Sequence, residues 1–148
     1  TNDAAGAITR LQDMGVEPFM ITSSVVAVLA QRLVRKVCQE CGRDVVLREA
    51  ERRSLAEEFQ VPLERIPMSY RRGAGCEGCA ATGYRGRIGI FEYLPMEDTI
   101  VREVLRGADR TALVRAAVAG GMRTLRQAGL DMVCRGVTTI EEVLRVTR

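Results

Sequence analysis

The chain has 148 residues, 47% of them hydrophobic and 28% charged, which favours one ordinary domain or two small ones and excludes bulk disorder. Its formal net charge of +3 is too small to require a nucleic-acid partner. It contains no histidine, which excludes His-based catalytic triads and mixed Cys/His zinc sites.

The first predicted elements are two helices. Residues 3 to 14 are expected to form the first, with Asp3 as its N-cap and Gly15 in the left-handed conformation at its end. Pro18 suits the start of a second helix. That helix is predicted from Phe19 to about Arg35, because the apolar residues of this stretch recur at helical spacing.

The composition changes between residues 38 and 86, which hold four of the five cysteines. The segment from Arg48 to Phe59 is highly charged and is predicted to be a solvated surface helix. Glycines crowd the second cysteine pair, so turns are expected there.

The last third is predicted to be a strand followed by short helices. The strand covers residues 87 to 94, where Ile88 and Ile90 alternate with Phe91 and Tyr93, so both of its faces are expected to be covered. Breaks at glycines delimit four helices, at about 98–106, 109–119, 124–135 and 139–146. The predicted fold class is α+β and mainly helical.

The cysteines form two C-x-x-C pairs, Cys38 with Cys41 and Cys76 with Cys79, separated by 34 residues. Each pair places two sulfurs on one side of a tight turn, and two such turns supply the four ligands of a tetrahedral zinc site. The separation exceeds the ~15–20 residues of a zinc ribbon, which indicates an inserted element. Four protein ligands saturate the metal, so the predicted zinc is structural.

The alternatives for these cysteines are two disulfides, a redox function or four unrelated thiols. The sequence shows no basic, apolar signal peptide, which favours reduced thiols or metal ligands over disulfides. The fifth cysteine, Cys134, is interpreted as a small buried hydrophobic residue. The adjacent carboxylates at Glu57–Glu58 and Glu141–Glu142 are interpreted as solvated helix faces.

The parts of a self-sufficient nucleotide hydrolase are absent from the sequence. Lys36 is the only lysine, and it does not lie in a G-x-x-x-x-G-K-[ST] phosphate-binding loop. No apolar run approaches the ~20 residues that a membrane-spanning helix needs. The absence of an initiator methionine predicts that the chain is a piece of a longer protein.

Segments distributed over nearly the whole chain carry a resemblance to a known family. They are the four cysteines together with Thr1–Leu11, Met14–Phe19, Ala30–Arg35, Gly83–Glu92, Gly121–Leu125 and Thr138–Thr147. Together they resemble the C-terminal part of the secretion ATPases. The stretch Gly15–Phe19 resembles the type II secretion branch more than the branch of type IV pilus assembly.

The resemblance implies that the complete protein is a cytoplasmic, hexameric ATPase that lies at the inner membrane. Such a protein has a RecA-like core, binds ATP and Mg²⁺, docks on inner-membrane platform proteins and drives pseudopilus assembly for type II secretion. In the family, the Walker A, Asp box, Walker B and His box come before the zinc segment. Only Thr1–Asp3, the end of the His box, is present here. The fragment is therefore expected to bind zinc and dock partners without hydrolysing ATP.

Two arginines match positions that the family uses for ATPase activity. Arg10 lies in the helix after the His box, and Arg87 lies in a Gly-Tyr-Arg-Gly-Arg motif. A guanidinium is a fork of donors suited to phosphate oxygens. The alternative for each residue is a surface arginine or a member of an ion pair.

The resemblance and the cysteine spacing together predict three segments. Residues 1–37 end the RecA-like core, residues 38–86 form the tetracysteine zinc module, and residues 87–148 form a strand and a C-terminal helical bundle. Within the family, a type IV pilus assembly ATPase is the alternative. Outside it, the alternative is a free-standing zinc-ribbon module that binds nucleic acid or protein, although clustered aromatic residues typical of RNA binding are absent.

Overall fold

The computed structural model describes residues 2–148, and within them the chain is α+β, as predicted. Strand β1 pairs with β4, and β2 pairs with β3 in antiparallel orientation. Among the described residues no helix is both long enough and apolar enough to cross a bilayer. In chain order the elements are α1 (Ala4–Asp13), α2 (Pro18–Ser24), β1 (Ala27–Val37), β2 (Gly42–Val46), α3 (Glu49–Phe59), β3 (Ser69–Gly73), β4 (Tyr84–Pro95), α4 (Asp98–Leu105), α5 (Arg110–Ala119), α6 (Leu125–Cys134) and α7 (Ile140–Val146).

Helix α1 confirms the predicted capping. The side chain of Asp3 accepts a hydrogen bond from the backbone N–H of Gly6 at 2.7 Å. Gly15 adopts φ +84° just after the helix, a conformation that glycine reaches without steric cost.

The single long helix predicted from Phe19 to Arg35 is wrong. Helix α2 ends at Ser24, and strand β1 begins at Ala27. Val25, Val26 and Val28 are β-branched, and β-branched residues favour a pleated strand over a helix interior. The strand also finds a pairing partner in β4, which the helical spacing of the apolar residues could not reveal.

Helix α3 and the four C-terminal helices α4 to α7 are confirmed within a residue or two of their predicted bounds. The predicted strand is also confirmed but longer, because β4 begins at Tyr84. Its faces differ from the prediction. Ile90 and Leu94 are buried, whereas Phe91 and Tyr93 are 48% and 58% exposed, so one face of this part of β4 is open in the described chain.

The chain divides into two compact units, and the first holds the chain up to Gln31 together with Phe91–Leu125. In this unit α1 packs against α2 and α5, and α4 packs against α2 and α5. The centre is an aliphatic core, whose buried members are Ala4, Ala5, Ile8, Ile21, Leu94, Ile100, Val104, Leu113, Ala117 and Met122.

The second unit holds Arg32–Ile90 and Arg126–Arg148. Helix α3 places Phe59 in a buried cluster with Ile66, which precedes β3, and with residues of β3, α6 and α7, namely Tyr70, Leu130, Val133, Ile140 and Val143. A separate buried cluster consists of Cys38, Cys41 and Cys79, with Cys76 packed against it.

The two units do not follow the order of the chain. Helices α4 and α5 pack with the N-terminal helices, whereas α6 and α7 belong to the unit that contains the cysteines. The predicted division into residues 1–37, 38–86 and 87–148 stays a prediction.

Candidate metal centre

The antiparallel pair β2–β3 brings the two cysteine pairs together. Gly42, which follows Cys41, is directly opposite Gly73, which precedes the second pair by three residues. The backbone N–H of Ala74 donates to the carbonyl of Cys41 at 3.0 Å. The insertion between the pairs is therefore closed at its base by the strand pair, which is why a separation of 34 residues is compatible with one site.

A close backbone approach fixes the other side of the site. The N–H of Cys38 donates to the carbonyl of Gly83 at 2.9 Å. A Cβ atom added at Gly73 would lie 2.0 Å from the carbonyl oxygen of Gly83. Only glycine is compatible with this contact, so the glycines around the second pair are required for packing as well as for turns.

The four sulfur atoms form a compact cluster within 4.8 Å of one another. The Sγ–Sγ distances are 3.8 Å for Cys38–Cys76, 3.8 Å for Cys41–Cys79 and 3.7 Å for Cys76–Cys79. A tetrahedron of sulfurs around zinc at about 2.3 Å has edges of about 3.8 Å. The cysteines are therefore positioned to bind one metal ion.

Backbone N–H groups point at the sulfur atoms. Gly75 donates to Sγ of Cys41 at 3.3 Å, while Cys76 and Gly83 donate to Sγ of Cys79 at 3.3 and 3.2 Å. The two bonds to Cys79 lower the pKa of its thiol to about 6, because they stabilise the thiolate. Burial and hydrogen bonds from the other thiols raise the pKa of Cys76 to about 12. A second thiolate beside the first is disfavoured until a cation offsets the charge.

The disulfide alternative does not fit this geometry. All five cysteines are free, and the sulfurs are far beyond the ~2.05 Å of a disulfide bond. Cys134 lies outside the cluster, and the prediction that it is buried is wrong. Its side chain is exposed at the end of α6, with Sγ 3.9 Å from the carbonyl of Arg65.

Two of the arginines near the cysteines form ion pairs with carboxylates. Arg85 pairs with Glu40 at 3.0 Å, and the other carboxylate oxygen of Glu40 lies 3.8 Å from Sγ of Cys76. Arg72 pairs with Glu141 at 3.4 Å. These ion pairs are exposed on both partners, so each contributes little to stability.

A buried carboxylate that the sequence interpretation missed anchors the strand leading to Cys38. Glu142 is 1% exposed and accepts from the guanidinium groups of Arg35 and Arg145 at 2.7 to 3.1 Å. It also accepts from the backbone N–H of Arg35 at 3.0 Å. Burial raises the pKa of Glu142, but the hydrogen bonds from Arg145 and Arg35 outweigh this and lower it to about 2.

Further contacts attach the start of α7 to the same strand. Thr138 donates through Oγ1 to the carbonyl of Arg35 at 2.8 Å, and the N–H of Val37 donates to the carbonyl of Val137 at 2.8 Å. The guanidinium of Arg35 stacks 4.2 Å above the ring of Tyr84. The interpretation of Glu142 as a solvated residue is therefore wrong, although Glu57 and Glu58 are exposed as predicted.

The two predicted phosphate-binding arginines lie in different units. Arg10 is exposed on α1 in the first unit, and Arg87 is exposed on β4 in the second. Within residues 2–148 neither side chain forms an ion pair. The role of both residues stays a prediction.

Comparison with known proteins identifies the family. A model of the family described as "Type II/IV secretion system protein" matches residues 1–145. The chain is 45% identical over 148 residues to the type II secretion system protein E of Aeromonas hydrophila, covering 100% of this chain and 28% of the relative. It is also 45% identical over 148 residues to the type IV pilus assembly ATPase PilB of Thermus thermophilus, covering 99% of this chain and 16% of that relative.

A third relative is the type II secretion system ATPase E of Vibrio cholerae, which is 40% identical and is covered to 28% of its length by the whole of this chain. The chain thus spans about a quarter of the type II relatives that it matches. The match extends over the N-terminal helices, the cysteine cluster and the C-terminal helices alike. The chain belongs to the type II/IV secretion system protein family.

Proposed function

We propose that this chain is the C-terminal region of a hexameric, cytoplasmic ATPase that powers type II protein secretion through pseudopilus assembly. The observation that carries the proposal is the family match over residues 1–145. The nucleotide-binding motifs belong to the preceding part of the longer polypeptide, and residues up to Asp3 end its His box. This region by itself binds metal and docks partners without hydrolysing ATP.

The metal in this proposal is a structural Zn²⁺ held by Cys38, Cys41, Cys76 and Cys79. Zinc is supported by the donor set, since four thiolates in a tetrahedral arrangement are typical of structural zinc. The site has no free coordination position for a substrate once four sulfurs are bound. Its role is therefore to hold the segment between β1 and β4 in one conformation.

Type II secretion is supported over pilus assembly by the relatives named protein E in several bacteria. The 45% identity to PilB makes pilus assembly the second candidate. Complementation of a strain that lacks its own copy of the gene separates the two candidates. Restored release of a folded exoprotein supports type II secretion, whereas restored surface pili without that release contradicts it.

Arg10 and Arg87 supply guanidinium groups to ATP phosphates in this proposal. An arginine placed against a transferring phosphoryl group stabilises the charge of the transition state. The exposure of both side chains is compatible with contact to a nucleotide held by the preceding core or by a neighbouring subunit. The inner-membrane platform proteins of the secretion system are the proposed docking partners.

The decisive experiment measures ATP turnover of the longer polypeptide with Arg87→Ala. We expect kcat to fall by roughly 10³-fold, the effect of losing an arginine that stabilises the transferring phosphoryl group, with zinc retained. Arg115→Ala is the matched control, because Arg115 is an exposed arginine on α5 with no proposed role. Equal turnover in wild type and Arg87→Ala contradicts the role of Arg87.

Nucleic-acid binding tests the free-standing zinc-module alternative. The proposed function predicts weak binding to DNA and RNA duplexes at physiological salt. Sub-micromolar affinity with a steep dependence on salt concentration favours the alternative instead.

A further inference from the structure

Glu92 is a buried carboxylate in the second half of β4 that the proposed function does not use. It is 3% exposed. One carboxylate oxygen accepts from the backbone N–H of Ala4 at 2.8 Å. The other accepts from the N–H of Leu125 at 3.0 Å.

Both amides belong to the first residues of ten-residue helices, because Ala4 begins α1 and Leu125 begins α6. The first N–H groups of a helix have no partner within the helix and carry the positive end of its dipole. A single carboxylate therefore accepts hydrogen bonds from the first N–H groups of two helices and stabilises the positive ends of their dipoles. The two first residues are 121 positions apart in the chain.

A second long-range contact fixes the same end of α1. The Nε atom of Arg110, at the start of α5, donates to Oδ2 of Asp3 at 2.8 Å, and the other oxygen of Asp3 caps Gly6. The backbone of Ala4 thus donates to an acceptor from β4, and the side chain of Asp3 accepts from a donor of α5. Ala4 itself is fully buried in the aliphatic core.

We infer that Glu92, assisted by Arg110, is a positioning residue for the segment that enters α1. The inference rests on the proposed function, in which the residues up to Asp3 end the His box at the nucleotide. In that setting, the bonds from Glu92 set where the His box lies relative to the phosphates. In this inference, Glu92 acts through the backbone of Ala4.

The test is Glu92→Gln in the longer polypeptide that the proposed function requires. Glutamine has the same size but only one accepting oxygen, so either Ala4 or Leu125 then faces an NH₂ donor. We expect kcat for ATP to fall about ten- to a hundredfold, as misplacement of a reacting group by about an ångström does. The KM for ATP should change less than about twofold, because the groups that bind the nucleotide are untouched.

Glu97→Gln is the matched control, because Glu97 is exposed and its side chain caps no helix. Amide exchange at Ala4 and Leu125 gives a readout that does not depend on catalysis. Faster exchange at one of these amides in Glu92→Gln, with zinc content and overall unfolding unchanged, is the expected result. A merely structural role predicts that kcat per folded molecule equals that of wild type.

The outcomes separate this inference from the proposed function. Full turnover by a folded Glu92→Gln protein overturns the positioning role and leaves the ATPase proposal standing. Absence of turnover in the wild-type polypeptide contradicts the ATPase proposal, and the positioning role falls with it. If Glu92→Gln does not fold, Arg110→Ala decides: a smaller drop in kcat at constant KM supports the inference, and unchanged kcat overturns it.

Discussion

The two compact units are stabilised in different ways. The first has an aliphatic core in which Ile8, Val104 and Leu113 are fully buried, and it contains no cysteine. The second contains all five cysteines, a smaller core around Phe59, and the buried carboxylate Glu142 between two arginines. The first unit thus combines an aliphatic core with one buried carboxylate, Glu92, whereas the second also contains the clustered cysteines that are positioned to bind a metal ion.

This difference explains the composition of the middle of the chain. The segment between Cys38 and Gly83 is rich in charged residues and supplies Phe59, Ile66 and Tyr70 to a small buried cluster, and a small core of this kind is often supplemented by a crosslink or a metal. In the proposed function, a structural zinc, which supplies about 10–16 kcal/mol in small peptides, adds to this burial. Residues 126–148, with most of α6 and all of α7, belong to the same unit as the cysteines.

Loss of the metal is expected to have the largest effect and to act on one unit. Chelation removes the metal and Cys38→Ser removes one of its ligands. In either case the amides of residue 38 and Ala74 should lose protection from exchange together with those of α6 and α7. The amides of α1 and α5 should keep theirs. Residue-resolved hydrogen exchange measures both. Cys134→Ser is the control, because Cys134 lies outside the cluster. Equal loss of protection in both units on metal removal contradicts the proposal that the metal stabilises only the cysteine-containing unit.

The reverse experiment creates a cavity in the first unit. Leu113→Ala removes a fully buried side chain and should lower the free energy of unfolding by about 2–5 kcal/mol, with metal content unchanged. Denaturant titration and metal analysis check the two parts. Val118→Ala on the same helix, at a 39% exposed position, should cost within about 0.5 kcal/mol. Loss of metal on Leu113→Ala shows that the units are not independent.

Removing the charge of Glu142 should have a smaller effect, confined to the second unit. Glu142→Gln weakens charge-assisted hydrogen bonds from two arginines that are about half exposed, so we expect a loss of about 1–3 kcal/mol at neutral pH. Glu57→Gln, at an exposed position of α3, is the control and should be nearly neutral. Urea unfolding at constant zinc concentration measures both variants.

The pH dependence of that loss has a definite sign. The folded state lowers the pKa of Glu142 to about 2 from an ordinary value of 4.5. Its stabilisation is therefore complete above about pH 4.5 and decreases as the pH falls towards 2. The difference between wild type and Glu142→Gln should shrink over that window. A difference that stays constant from pH 6 to pH 3 is incompatible with a carboxylate stabilised in this way.

Features set by neighbouring residues could be predicted from the sequence, and features set by distant partners could not. The cap at Asp3 and the C-x-x-C turn of Cys38 and Cys41 each depend on residues a few positions apart, and both could be predicted. Val28 lies in a strand because β1 pairs with β4, which is about sixty residues away in the chain. The burial of Glu142 depends on Arg35, 107 residues away, and no local spacing reports such a contact.

The strands β2 and β3 illustrate the same limit within the cysteine-containing unit. Their residues are mostly charged or exposed, so neither shows the alternation of a half-buried strand. They form because each pairs with the other, and this pairing closes the insertion between the cysteine pairs. The spacing of the cysteines thus predicted the cluster, but it did not predict the strand pair that brings the cysteines together.

The most direct test of the account is the metal itself, measured on protein purified without added metal. Elemental analysis should find one zinc ion per chain, and X-ray absorption at the zinc edge should find four sulfur neighbours at about 2.3 Å. Cys76→Ser should remove one sulfur from that shell. A chain that contains no stoichiometric zinc, or a zinc ion bound by nitrogen and oxygen in place of sulfur, would contradict the central claim.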